Sequence, residues 1–269
     1  MSESRGSGSV DVERLTAALS GLGVRPGDVL LVHASLRSVG AVAGGPVAVL
    51  AALRRAVGRA GTVVVPAFTP ENSDTSPHYR ARVRGLDAPA RAAVRSSMPP
   101  FDPALTPAPS MGALAETVRT AAGARRSGHP QTSFAAIGPG AAKLLAGHRP
   151  TCHLGEESPL ARLYEADAGI LLLGAGYDTC TAFHLGEYRR PGAPLRRYRC
   201  VVAPQGVRRW WEYEDVALDD GDFAALGAAF EEAADPGDVT TAPIGSAPCR
   251  LIRLRAAADF ATAWLTAHR

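Results

Sequence analysis

The chain has 269 residues, of which 46% are hydrophobic and 20% charged, with a formal net charge of +3. That is ordinary globular composition, sufficient for one large domain or two small ones. No apolar run reaches the roughly 18 residues that span a bilayer, and the Arg pairs at 189–190, 196–197 and 208–209 are broken up by Pro, Gly and aromatics, so neither a membrane nor a nucleic-acid partner is expected.

The opening "MSESRGSGSV" is polar, with no hydrophobic core for a signal peptide, and predicts a disordered tail over residues 1–9. Residues 10–269 then read as one domain. Asp11 caps a helix in which Leu15, Leu19 and Leu22 recur at helical spacing. "DVLLVHAS" (28–35) predicts a buried strand, "PVAVLAALRRAVG" (46–58) a helix opened by Pro46, and "GTVVVPAF" (61–68) a second strand. This strand–helix–strand succession predicts a crossover unit.

The stretch 69–109 carries eight prolines and no sustained periodicity before about 87–97, which marks a variable insertion. Helix returns over 111–123, and 132–147 predicts strand, glycine turn and helix. Ser158 caps another helix over 158–166, ahead of the strand "GILLLGAG". Beyond residue 195, two runs rich in Val, Tyr and Trp flank a turn at 204–206, a hairpin signal. Helices at 222–234 and 256–267 complete the pattern. The fold class is α/β: a single three-layer α/β/α sandwich around a mixed, largely parallel sheet.

Several motifs are absent. "GAGYDT" follows a strand, but Thr179 stands where a dinucleotide fingerprint needs a third small residue. There is no phosphate-binding P-loop, no G-x-S-x-G elbow and no zinc-spaced Cys/His cluster, so no metal is expected. Cys152, Cys180, Cys200 and Cys249 are widely spaced and read as free thiols of a cytoplasmic protein.

The chemistry concentrates in "TCTAFHLGEY". On a helix, His184 and Glu187 lie three residues apart on one face at the carboxyl end of a strand, where α/β sheets bind ligands. A carboxylate that orients an imidazole suits general-base work; a half-buried histidine beside a solvated Glu is the plain alternative. His33 and Ser35 in "HASLRSVG", the helix start "PSMGAL" and the step at Ser133-Phe134 look like backbone cradles, although a cap or turn explains each alone. Glu212, Glu214, Asp215, Asp219, Asp220 and Asp222 crowd eleven residues beside Trp210, Trp211 and Tyr213. Such a segment is either a solvated turn or one side of a cleft that attracts a polycation.

Taken in order, "GDVLLVHASLRSVG", "GGPVAVLAALRRAVG", "GTVVVPAFTP", "FDPALTPAPSMGALAETVR", "RRSGHPQTSFAAIGPGA", "SPLARLYEADAGILLLGAGYDTCTAFHLGE" and "RLIRLRAAADF" resemble the aminoglycoside 3-N-acetyltransferase family over roughly residues 11–260. The resemblance implies acetyl-CoA as donor and the 3-amino group of a 2-deoxystreptamine ring as acceptor. It implies His184 as catalytic base with Glu187 beside it, and His33, Ser35, Leu36, Ser110, Met111, Gly112, Ser133 and Phe134 around CoA. Residues expected to hold the antibiotic lie in the insertion and the acidic segment (Glu71, Asn72, Tyr79, Asp102, Glu212, Tyr213, Asp215 and Asp219), with Asp178 after the strand "GILLLGAG". A homodimer is compatible with the chain. A same-fold acyltransferase acting on another amine, a noncatalytic antibiotic-binding protein and a ping-pong route through Cys180 are the alternatives.

Overall fold

The structure is a computed structural model that describes residues 9–269. The tail expected over residues 1–9 therefore lies, but for its last position, outside the described residues. The chain runs α1 (Val12–Leu22), β1 (Val29–Ala34), α2 (Leu36–Val39), α3 (Gly45–Val57) and β2 (Thr62–Pro66), then α4 (Pro77–Arg82), α5 (Ala88–Ser96) and α6 (Gly112–Thr120). It continues with β3 (Arg125–Arg126), β4 (Phe134–Ile137), α7 (Ala141–Leu145), α8 (Pro159–Glu165), β5 (Gly169–Leu173) and α9 (Phe183–Arg189). The hairpin strands β6 (Leu195–Val202) and β7 (Arg209–Val216) follow. Last come α10 (Phe223–Ala233), β8 (Val239–Ile244), β9 (Ala247–Arg253) and α11 (Leu254–His268).

Seven strands form one sheet in the order β3-β4-β2-β1-β5-β9-β8. The central β2-β1-β5 ladders are parallel, while β4 and β9 pair antiparallel with their neighbours, so five strands share one direction. The mixed sheet expected from the sequence is present, with parallel pairing concentrated at its centre.

Both faces of that centre are covered, which explains the unbroken apolar runs. Along β1, Leu30 and Val32 join the core beneath α1, α3 and α6, whereas Leu31 faces the other way into the core beneath α8 to α11. The three-layer sandwich follows directly from this alternation.

Local signals set most boundaries. Asp11 accepts from Arg14 N at 2.8 Å, capping α1. The β8–β9 hairpin was not predicted. Pro243 and Pro248 obscure it, yet they face one another in its register, and β8 is an edge strand, where missing N–H donors are tolerated. The insertion holds α4 and α5 and leans on the β6–β7 hairpin through bridges Ser73–Cys200 and Phe101–Val202.

One glycine fixes the position of α9. A Cβ on Gly186 would lie 2.8 Å from both Ala261 Cβ and Thr262 N, so only glycine lets α11 pack this closely. Gly186 stands between His184 and Glu187.

Candidate active site

A cavity of about 850 Å³ opens at the carboxyl ends of β1, β2 and β5, walled by residues 32–38, 65–66, 110–115, 174–176 and 178–181 together with Phe68, His184, Asp220 and Phe223. His184 projects from the first turn of α9, its ring 4.7 Å from that of Phe223. Its Nδ1 lies 2.6 Å from Glu187 Oε2. An ionised Glu187 can only accept, so Nδ1 carries a proton, and in the neutral ring the lone pair is on Nε2.

Glu187 is 1% exposed but fully engaged. Its other oxygen accepts from Asp219 N at 3.0 Å and from the Arg269 guanidinium, which also pairs with Asp222. Asp222 first, and Glu187 after it, hold the Arg269 guanidinium above its ordinary value. The carboxylate paired with His184 is thus itself clamped by Arg269, which follows α11, and by the loop before α10. Phe223 and Arg269 were missed by sequence reasoning, and Asp220 was read only as part of the acidic segment. Arg269 is 82 positions from Glu187, and no local pattern joins them.

His33, at the end of β1, lines the same cavity, and its Nε2 has no partner. Burial, assisted by the nearby His184, lowers it to about 4, so it is neutral at pH 7. Cys180 also lines the cavity, but burial pushes its thiol up to about 12. A thiol so protonated is a poor nucleophile.

Of the CoA segments, His33, Ser35, Leu36, Ser110, Met111 and Gly112 all line the cavity. Gly112 has a φ of +87°, and no side-chain cap covers the start of α6 there, leaving its N–H groups available to an anion. Ser133 and Phe134 do not line the cavity. Both are wholly buried at the start of β4, where Ser133 Oγ donates to Ala67 O at 2.8 Å and accepts from Arg126. They support β2 rather than face the cavity.

The expected antibiotic residues scatter. Asp178 lines the cavity, and Asp219 borders a neighbouring one. Glu71 accepts from Ser110, a cavity residue. Asp102 turns back on Ala104 N at 2.7 Å, and Glu212 pairs with Arg199 at 3.3 Å, both on the exterior. Four further candidates are buried away from the cavity. Asn72 donates to Pro130 O at 2.8 Å, and Tyr79 packs on Val83 and Met98.

Tyr213 and Asp215 belong to an internal network instead. Asp215 Oδ2 accepts from His153 N and Nδ1, each at 2.7 Å, and from Tyr188 OH at 2.5 Å. Tyr213 OH bridges His153 Nε2 and Gln131. Burial raises Asp215, but the bonds from His153 and Tyr188 outweigh it and hold the carboxyl below its usual range. Burial likewise keeps His153 below its ordinary value despite Asp215. The exposure pattern of residues 212–215, out-in-out-in, was the signal for this.

The three-layer fold thus gathers a carboxylate-paired imidazole and uncapped backbone N–H groups around one cavity at the strands' carboxyl ends, an arrangement that suits group transfer. The sequence profile of the family described as "Aminoglycoside 3-N-acetyltransferase" matches residues 31–266, and the chain belongs to that acyltransferase family. It is 37% identical over 255 residues to the "SPbeta prophage-derived aminoglycoside N(3')-acetyltransferase-like protein YokD" of Bacillus subtilis (strain 168), covering 94% of this chain and 91% of that one. The YokD crystal structure superposes with a TM-score of 0.89 at 36% identity, over 96% of this chain and 94% of YokD. Two further solved relatives are AAC-VIa bound to sisomicin (TM-score 0.83, 34% identity, 97% of this chain and 99% of that) and AAC-IIIb in a binary complex with CoASH (0.82, 33%, 97% and 98%). Among the described residues no helix is long and apolar enough to cross a membrane.

Proposed function

We propose that the chain moves an acetyl group from acetyl-CoA to the 3-amino group of an aminoglycoside's 2-deoxystreptamine ring, directly and without an acyl-enzyme. Residues 10–269 act as one acetyltransferase domain in the cytoplasm, and the product is an inactivated antibiotic. The observation that carries this reading is the 2.6 Å His184–Glu187 contact at the edge of a cavity whose only thiol lining, Cys180, is held protonated. The family membership and the CoASH and sisomicin complexes of the relatives support the choice of donor and acceptor class.

The acceptor amine arrives as an ammonium and is inert until it loses a proton. His184 Nε2 takes that proton, and the clamped Glu187 stabilises the imidazolium. The amine nitrogen then bonds to the thioester carbon, the C–S bond breaks, and the thiolate leaves with a proton. Developing charge on the carbonyl oxygen needs a donor. The neutral His33 and the backbone around Ser35 and Gly112 border the space where such a donor must stand. The acceptor's other ammonium groups meet Asp178 and Asp220.

The test is thiol release from acetyl-CoA with a panel of aminoglycosides, followed by NMR of the product. Acetylation at the 3-amino group is expected. Turnover only with amines outside this class would refute the substrate, and drug binding without thiol release would refute the enzyme.

A further inference from the structure

A second cavity of about 460 Å³ lies beside the first, and Asp220 lines both. Its wall brings together Arg80 from α4, Arg190 just past α9, Arg196 from β6, and Arg269. Arg269 is neutralised by Glu187 and Asp222. The other three have no carboxylate within 4.0 Å among the described residues. Arg196 donates to Thr75 O at 3.0 Å and lies over the Tyr198 ring at 4.3 Å, neither of which compensates its charge. Arg190 Nε is buried with no acceptor at all. The two acids on the wall, Asp219 and Asp220, stay clear of these guanidiniums, and Asp219 is turned to Gly221 N at 3.0 Å.

A single unpaired arginine on a surface is ordinary. Three that converge on one concavity, one of them with an orphaned buried donor, repel one another and focus a positive potential there. An unmade hydrogen bond at a buried donor is unfavourable, so the Arg190 charge is not compensated within the protein. Guanidinium forks match phosphate oxygens with two parallel bonds each.

We propose that this second cavity binds a phosphate-type oxyanion, held by Arg80, Arg190 and Arg196. Two sources share that chemistry: the phosphates of CoA reaching past Asp220, and a phosphate that is free or carried by the acceptor. Binding can be measured without any acetyl transfer, so its failure is separable from failure of the reaction assigned above.

The experiment is calorimetric titration of inorganic phosphate into the full chain at constant ionic strength, repeated with Arg80→Gln and Arg190→Gln. Melting curves confirm that each variant is folded; Arg80 is exposed on a short helix, so its variant carries the test if Arg190→Gln does not fold. Arg197→Gln, on the same strand as Arg196 but not in this wall, is the control. Saturable phosphate binding that weakens about tenfold or more in each cavity variant, and not in the control, is expected. Repetition with saturating CoA separates the sources: loss of phosphate binding assigns the site to CoA's own phosphates, and simultaneous binding assigns it to a separate phosphate. Phosphate affinity equal in wild type and both cavity variants, or no saturable binding, overturns the proposal.

Discussion

Acid should destabilise this fold well before its carboxylates titrate. His33 and His148 are lowered to about 4, chiefly by burial, and burial likewise holds His129 well below its ordinary value. In the unfolded chain each returns to about 6.5. Below that value the unfolded state therefore binds protons that the folded state refuses, and stability rises with pH between about 4 and 6.5. Taking 6.5 unfolded and about 4 folded, a fall from about pH 7 to 5 costs about 2 kcal/mol per histidine. These two imidazoles together cost about 4 kcal/mol, and His129 adds to this in the same direction, a large share of the whole stability of many domains. Most carboxylates titrate near 4, so the upper part of this window belongs to the histidines. Urea unfolding at about pH 7, 6 and 5 measures the effect, the slope near pH 5.5 giving an uptake of two to three protons on unfolding. A stability that is flat across this window, or an uptake below about one proton, would show that these rings are solvated or charged in the folded protein and refute the reasoning.

His184→Ala should lower kcat by about 10²–10⁴-fold with CoA affinity retained, and near-normal turnover would remove His184 from the mechanism. Cys180→Ser should stay active because the wild-type thiol is buried and protonated; an acetylated Cys180 in the mass spectrum would reverse that. Gly186→Ala forces a Cβ against Ala261 and Thr262, so it should cost about 1–3 kcal/mol and reduce kcat by displacing the His–Glu pair, whereas an unchanged melting temperature and kcat would show that α11 can retreat. Asp178→Asn and Asp220→Asn should raise the aminoglycoside KM, and the wild-type affinity should weaken with salt; insensitivity to both would place the polycation elsewhere.

The local statements of the sequence survive because they depend on near neighbours. Asp11 caps α1 from three residues away, and His184 meets Glu187 one helical turn on, so spacing alone brought them together. The apolar runs of β1 and β5 announced a sheet buried on both faces. Charge was the unreliable guide. The acids after the hairpin looked like one patch, yet strand alternation turned Asp215 inward to His153, 62 positions away, while Glu212 faced out to Arg199. Ser133 and Phe134 read as a cradle, but β4 pairs with β2 and buries them. Arg269 reaches Glu187 only because α11 packs on Gly186, and the arginines of the second cavity come from α4, β6 and the end of α9. Which side chains share a helix turn is fixed by the backbone's period, but which charges share a cavity is fixed by how the layers pack, and no spacing along the chain encodes that.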